Sequence, residues 1–237
     1  MSVIQQVLLA LNSSGGVATD PSFASVVLLL HFDGTNGQTT TVDSSTSAHA
    51  MTRVASTLAT AQQKFGTAST QISGTDGWTA TDSADWAFGS GAFTIEGFIY
   101  IDSAPGASNR SFLHQWGGAS DLGWFFGMIG GSIAFYYSTT GTNNPNVGAA
   151  WTPTLNTWYH VCVDRDASNV IRVYVDGVVK ANATDGSALF NSTRILNFGG
   201  SGAFTATSGY YDEWRITKGV ARYGGAFTPP SAAFPNS

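Results

Sequence analysis

Hydrophobic and polar residues alternate in short stretches along most of this chain. In the stretch "AFTIEGFIYID" (92–102), every second residue is apolar or a glycine. A period of two is typical of a β-strand that packs one face against a core. The core face predicted for this strand consists of Phe93, Ile95, Gly97, Ile99 and Ile101.

Further strand-like runs follow, separated by turn residues: "RSFLHQW", "GWFFGMIG", "SIAFYYS", "WYHVCVDRD" and "RILNFGG". The earliest run, "SVVLLLHF" (25–32), is continuously apolar, which predicts a central strand covered on both faces. Asp176-Gly177 lies between two β-rich flanks and predicts a two-residue hairpin turn. These runs predict an all-β fold, a two-sheet antiparallel sandwich formed by residues 25–237. Residues 1–24 are predicted to be a short N-terminal extension.

Composition and charge narrow the classes of function. Charged residues make up 11% of the chain and the net charge is −5, so neither nucleic acid nor an anionic membrane is an expected partner. The single cysteine, Cys162, excludes an internal disulfide and a Cys-rich zinc site. No basic residue precedes the short apolar run 7–11, and no run reaches about 18 apolar residues. We therefore expect neither a signal peptide nor a transmembrane segment.

Aromatic residues and asparagines are concentrated between positions 116 and 151. Aromatic faces can stack on the apolar faces of sugar rings, and short polar side chains can bind sugar hydroxyls. The polar loop 139–148 is the predicted rim of such a site. Alternation places about half of the aromatic residues in the core, so each is either a ligand platform or a core residue. The candidate carbohydrate-binding residues are Trp116, Trp124, Tyr137, Asn143, Asn144 and Asn146.

The stretch "GYYDEWRITKGVARY" (209–223) is unusually rich in charge for this chain. A retaining glycosidase needs two carboxylates about 5–5.5 Å apart. Asp212 and Glu213 are adjacent, so on a regular strand they would point to opposite faces, with Glu213 beside Arg215. Glu96 has no acidic residue two or four positions further on. These patterns predict a protein that is not an enzyme.

Several motifs in order resemble the laminin-G-like, concanavalin A-type jelly roll. They are "HFDG" (31–34), "DSS" (43–45), "KFG" (64–66), "FTIE" (93–96), "WYHV" (158–161), "VYVDG" (173–177) and "DEWRI" (212–216). The resemblance covers about residues 25–228 and implies a concanavalin A-like jelly-roll fold. It also implies one structural calcium ion, with Asp212 and Asp33 as candidate ligands. The alternative is that Asp212 caps a turn and Asp33 closes another.

The segments before and after this region resemble the versions of the domain found in tailed-bacteriophage virion surface proteins. That resemblance implies capsid decoration, a head fibre or a tail-associated role on the virion surface. Residues 1–24 would anchor the chain to other virion proteins, and the protein would form a homo-oligomer. The predicted function is adhesion to host or environmental glycans. The alternatives are a purely structural decoration protein that binds no sugar and, third, a cryptic glycoside hydrolase.

Overall fold

A computed structural model describes residues 19–106, 108–200 and 204–237. They form an all-β fold with two short 3₁₀ turns, Phe23–Ser25 and Ala84–Trp86. In chain order, β1 to β16 are Val26–Leu30, Thr52–Val54, Thr57–Ala59, Ser69–Ile72, Gly77–Ala80, Phe93–Ile101, Arg110–Trp116, Leu122–Ile129, Ser132–Tyr137, Asn146–Ala150, Thr157–Arg165, Val170–Val175, Val178–Thr184, Leu196–Gly199, Thr205–Ala206 and Gly209–Lys218.

The strands form two sheets that pack face to face. Sheet A has the order β13-β12-β11-β6-β16-β4-β3, and β1 pairs with the part of β16 that β4 leaves free. Sheet B has the order β10-β9-β8-β7-β14-β5-β2, and β15 lies parallel to β7. The other pairings between named strands are antiparallel. The predicted two-sheet antiparallel jelly-roll sandwich is therefore confirmed.

The core lies between the inner faces of the two sheets. The alternation in β6 is confirmed, because the side chains of Phe93, Ile95 and Ile99 are buried in this core. Gly97 lies on the same face, where a β-carbon would come within 2.3 Å of the Trp214 ring. A glycine is needed here because the indole packs directly against the backbone of the neighbouring strand.

Strand β1 shows where the sequence prediction was partly wrong. Leu28 and Leu30 enter the main core, whereas Val26 and Leu29 pack with Phe98 and Phe234 on the opposite side of sheet A. The strand is covered on both faces, as predicted. Among named strands, however, it pairs only with β16, so it is not central. Its outer cover comes from the C-terminal residues rather than from a second sheet.

The hairpin prediction is confirmed. Asp176 and Gly177 connect β12 to β13 with φ angles of 48° and 73°. Both residues lie in the left-handed region that a type I′ turn requires. The Asp176 carboxylate also accepts a hydrogen bond from the His160 N–H at 2.9 Å, which ties the turn to β11.

Strand β16 does not alternate regularly. Its pairing with β6 shifts register between Asp212 and Arg215, and Glu213 has a φ of 50°. A β-bulge of this kind adds one residue to one strand and reorients its side chains. Tyr211 therefore shares the core face with Trp214. The predicted contact between Glu213 and Arg215 was wrong, because the bulge directs the two side chains to different partners.

Two further segments lie on the outer face of sheet A. They are residues 19–24 and residues 219–237, which we call the C-terminal segment. Asp20 N–H donates a 2.6 Å hydrogen bond to the Ser237 carbonyl, so the two segments meet. Of the predicted extension 1–24, residues 1–18 lie outside the described residues. Residues 19–24 contact the sandwich directly.

Candidate functional site

The outer face of sheet B carries a row of side chains that runs across its strands. Cross-strand pairing aligns Asn197 with His114, His114 with Phe125, Phe125 with Tyr136, and Tyr136 with Asn146. Side chains directly opposite each other on one sheet face are close neighbours. The row therefore forms a continuous strip of aromatic rings with an amide at each end.

Two rings of this strip line a pocket of about 280 Å³: Phe125, which is buried and forms its floor, and Tyr136. The volume is just below the range of about 300–1,000 Å³ that is usual for small-ligand sites. The described residues that line it are Asn109, Trp116, Phe125, Ile129, Tyr136, Asn144 and Phe204. The chemistry of the pocket is therefore aromatic and apolar, with two side-chain amides and one phenol.

The floor is rigid and uncharged. The Phe125 ring packs against the rings of His114 and Phe204, with centroid distances of 5.6 and 5.1 Å. The His114 Nδ1 atom lies 2.7 Å from the Ser111 hydroxyl. Burial lowers the pKa of His114 to about 3, because the interior disfavours the charged imidazolium. At neutral pH this histidine supports the floor as a neutral ring.

Three of the predicted carbohydrate-binding residues lie at or beside this pocket. Trp116 and Asn144 line it. Asn146 is exposed and lies opposite Tyr136 on the edge strand β10. The tertiary structure thus brings together a tryptophan from β7 with asparagines from the loop before β10 and from β10 itself.

Asn143 has a different role in the same loop. Its side-chain oxygen accepts hydrogen bonds from the Ser138 hydroxyl at 2.8 Å and from the Thr139 N–H at 2.8 Å. Its amide nitrogen donates to the Thr139 hydroxyl at 2.8 Å. These contacts use both ends of the amide to hold the loop closed, a role typical of asparagine in turns.

The structure places the two remaining candidates in the core, so neither offers a ring face to a ligand. Trp124 is 1% exposed and donates its indole N–H to the Trp86 carbonyl at 3.0 Å. Tyr137 is 3% exposed, and its hydroxyl donates to Asp185 at 2.7 Å. The prediction of these two rings as sugar platforms was therefore wrong. Alternation separates the two faces of a strand but does not say which face points inward.

The sequence analysis missed four other polar or aromatic residues of the pocket: Asn109, Phe125, Tyr136 and Phe204. One signal could have separated the two faces of β8. Trp124, Phe126 and Met128 form an unbroken bulky face, whereas the other face contains Gly127 between Phe125 and Ile129. The bulkier face fills the core. Phe204 carries no such signal, because only the tertiary fold brings it to β8.

The outer face of sheet A has the opposite character. Glu96 is fully buried there, and its Oε1 atom accepts hydrogen bonds from the Arg215 guanidinium at 2.7 and 3.0 Å. Its Oε2 atom accepts from the Tyr223 hydroxyl at 2.5 Å and lies 3.2 Å from the His160 Nε2 atom. Burial alone would raise the pKa of this carboxyl. The guanidinium charge and the hydrogen bonds nevertheless hold it at about 2.

Asp20 extends the same network to the chain segments that cover the sheet. Its carboxylate accepts hydrogen bonds from Arg215 at 3.0 Å and from Arg222 at 2.7 and 3.0 Å. A pocket of about 320 Å³ lies at this seam, between residues 19–21 and 230–235. Its two arginines are already paired with carboxylates of the chain. The seam is a structural junction between residues 19–24, the C-terminal segment and sheet A.

The two predicted calcium ligands lie near each other beside this network. Asp212 Oδ2 accepts hydrogen bonds from the backbone N–H groups of Lys64 and Phe65 at 2.6 and 3.0 Å. Asp33 Oδ1 accepts from the Thr67 N–H at 2.5 Å and from its hydroxyl at 3.1 Å. Both carboxylates tie the same loop, residues 64–67, to the sheet. Asp212 therefore caps a turn, as in the alternative, whereas Asp33 bonds to a distant loop instead of closing an Asx-turn beside Gly34.

Among the described residues, one oxygen of the Asp212 carboxylate is free to bind a cation. Its Oδ1 atom is buried and has no hydrogen-bond partner among the described residues. Burial raises the pKa of this carboxyl to about 7, and the nearby charges of Glu213 and Asp33 act in the same direction. Within the described part of the chain, no group of three or more His, Cys, Asp or Glu side chains is placed to hold a metal ion. A calcium ion would therefore need backbone carbonyls to complete its shell, and calcium binding stays a prediction.

With a covered sheet A and an open aromatic pocket on sheet B, the molecule has the fold of a lectin-like binding domain. The family model described as "Concanavalin A-like lectin/glucanases superfamily" matches residues 73–221. The chain belongs to this superfamily, and the resemblance drawn from the sequence motifs is confirmed. No curated protein sequence matches the chain.

Solved structures share the fold at low sequence identity. The binding domain of Paraclostridial Mosquitocidal Protein 1 is 10% identical with a TM-score of 0.63, covering 84% of this chain and 50% of that chain. The botulinum neurotoxin serotype C1 binding domain is 14% identical with a TM-score of 0.61, covering 84% and 50%. Domain 4 of AbnA, a GH43 extracellular arabinanase from Geobacillus stearothermophilus, is 18% identical with a TM-score of 0.61, covering 87% and 96%. The chain spans about half of the toxin domains and nearly all of the arabinanase domain. At these identities the likeness shows the fold alone.

The described residues contain no helix that is both long and apolar enough to cross a membrane.

Proposed function

We propose that this protein binds glycans through the aromatic pocket on the outer face of sheet B. The observation that carries the proposal is the lining of that pocket, where exposed amides stand beside aromatic rings on a rigid floor. Aromatic faces match the apolar faces of sugar rings, and an amide can both donate to and accept from a hydroxyl. Domain 4 of the arabinanase has been solved in complex with arabinotriose, and cell entry of botulinum neurotoxin type C depends on interaction with two ganglioside molecules.

The same lining favours binding over hydrolysis. Glycoside hydrolysis needs two carboxylates beside the scissile bond. The described residues of the pocket include no carboxylate. The strand carboxylate Glu96 lies on the other sheet and is fully engaged by Arg215 and Tyr223. We therefore propose a non-enzymatic role.

The test is glycan binding by the protein and by two pocket variants. We expect a glycan array to show binding. Trp116→Ala should weaken it by about tenfold or more, since an aromatic anchor contributes roughly 1–3 kcal/mol. Asn144→Ala should weaken it by about three- to tenfold, since a hydrogen bond contributes roughly 0.5–1.5 kcal/mol. Trp158→Ala is the matched control, because Trp158 is a half-buried aromatic on the outer face of sheet A. Equal losses of glycan affinity in the Trp116 and Trp158 variants, with unchanged melting temperatures, would contradict the assignment of the pocket as the glycan site.

We further propose that the domain is displayed on a bacteriophage virion, with adhesion as its role there. The support is the resemblance of the segments that flank the sandwich to those of phage surface proteins. The alternative is a structural decoration protein that binds no sugar. Because Asp20 is part of the folded body, the anchor should be tested by deleting residues 1–18 rather than 1–24. Incorporation of the deletion variant into particles at the normal level would contradict the anchor.

A further inference from the structure

The glycan pocket on sheet B carries no charge on any of its described lining residues. Its polar groups are the amides of Asn109 and Asn144, the phenol of Tyr136 and the indole N–H of Trp116. The amides and the phenol can both donate and accept a hydrogen bond, as a sugar hydroxyl also can, and the indole N–H is an uncharged donor. A sugar carboxylate only accepts, and its strong partners are charged donors such as arginine.

The arginines near the pocket are already engaged. Arg110 follows Asn109 in the chain, and its guanidinium donates to the Pro105 carbonyl at 3.0 Å and to the Thr205 hydroxyl at 2.5 Å. At the Trp116 end of the pocket, Arg194 lies beside Gly118. Its Nε atom pairs with Asp121 at 3.3 Å. The Arg194 side chain is 48% exposed, which makes it the cation best able to turn towards a ligand.

The floor does not supply a positive charge either. His114 lies beneath Phe125 and is buried, and its pKa is far below neutrality because burial disfavours the imidazolium. A carboxylate placed on this floor would lose hydration without gaining a counter-charge, which costs free energy. The net charge of −5 adds a weak long-range repulsion of anions.

We propose that this pocket accepts an uncharged hexose or pentose unit and discriminates against sugars that carry a carboxylate. The inference rests on the proposed function and adds the ligand class. The pocket volume of about 280 Å³ suits a short portion of a glycan, such as a terminal unit or a single branch. Discrimination comes from the absence of a compensating cation in the described lining, and aromatic stacking supplies the affinity.

The experiment uses the whole chain and pairs of sugars that differ only in a carboxylate. Galactose and galacturonic acid oligosaccharides form one pair, and glucose and glucuronic acid oligosaccharides form a second. Calorimetry should show that the neutral member of the better-bound pair binds about tenfold or more tightly than its acidic partner, as expected for an uncompensated charge. The affinity for the neutral sugar should change less than about twofold between roughly 50 and 500 mM NaCl, because no ion pair is formed.

Two variants separate the possible failures. Tighter binding of the acidic sugar, lost in Arg194→Ala, would overturn this inference and assign Arg194 as a ligand of the carboxylate. Equal binding of both sugars, abolished by Trp116→Ala, would also overturn the inference while leaving the glycan site in place. If neither these sugars nor the glycan array shows binding, or if Trp116→Ala changes nothing, the proposed function itself fails together with the inference.

Discussion

The outer faces of the two sheets differ in how their side chains are used. Sheet A is covered by residues 19–24 and the C-terminal segment, and buried ion pairs centred on Glu96 and Arg215 join the parts. On the outer face of sheet B, the described residues line a pocket with uncharged side chains. In a chain with so few charged residues, much of the charge is used for structure.

The comparison shows why a cluster of charge is a poor guide to function in this protein. A carboxylate with a strongly shifted pKa often marks an active site, but structural ion networks shift pKa values as well. Glu96 belongs to the second case, since its oxygens are occupied by Arg215, His160 and Tyr223. The pocket proposed for a ligand is the one whose described lining carries no charge.

The largest expected effect is on the covered face. Glu96→Ala should destabilise the fold by about 3–5 kcal/mol, because it leaves the buried Arg215 guanidinium without its main partner. Denaturant unfolding measures the change. Arg194→Ala is the matched control, since its pair with Asp121 is partly exposed and should contribute less than about 1 kcal/mol, while Asp121 keeps its hydrogen bonds from Thr193. Similar losses in both variants would show that the two faces do not differ in this respect.

A smaller effect concerns pH and also belongs to sheet A. The pKa of Asp212 is raised to about 7 in the fold, so the folded state holds a proton there that the unfolded state releases above about pH 4. Stability should therefore fall by about 2 kcal/mol as pH rises from roughly 5 to 7, and then level off. The pKa of His31 is also raised, since the Glu213 carboxylate 2.8 Å away outweighs the effect of burial. The stability that protonated His31 contributes to the fold is likewise lost as pH rises above about 6.5.

Unfolding free energies measured across this pH range test the assignment. Asp212→Asn should flatten the slope below about pH 6.5, where His31 is protonated in both states, and the slope that remains above this pH should follow His31. An unchanged slope in Asp212→Asn would show that the carboxyl titrates normally. The pocket on sheet B should bind its sugar equally well at both ends of the range.

Bound calcium would reverse this dependence of stability on pH, because the ion binds the deprotonated carboxylate of Asp212. If Asp212 and Asp33 hold the ion, added calcium should raise the melting temperature at pH 8 and EDTA should lower it. Asp212→Asn should abolish the response. A melting temperature that EDTA does not change would remove the calcium prediction.

The smallest expected effect is on the open face. Asn143→Ala should destabilise the fold by only about 1 kcal/mol, since the loop loses hydrogen bonds at the surface. It should nevertheless weaken glycan binding, because Asn144 and Asn146 would lose their fixed positions. Asn182→Ala is the control, as an exposed asparagine on the edge strand of sheet A. Unchanged binding in Asn143→Ala would show that the loop does not position the site.

The site could be predicted only in part. Trp116 and Asn144, which line the pocket, were predicted because aromatic rings and amides are concentrated in one part of the chain. Trp124 and Tyr137 belong to the same concentration but are buried in the core. Composition cannot separate these cases, since the period of two is equally strong on both faces of a strand.

The sequence by itself determined the class of fold, the strands with their alternation, and the hairpin at Asp176-Gly177. These features are local, because they depend on residues that are neighbours in the chain and on turn residues that allow positive φ. The tertiary structure decided which face of each strand is buried, where β16 bulges at Glu213, and which partners Glu96 finds. Those outcomes depend on contacts between residues far apart in the chain. Glu96 and Arg215, 119 positions apart, become a buried pair only when β6 and β16 lie side by side.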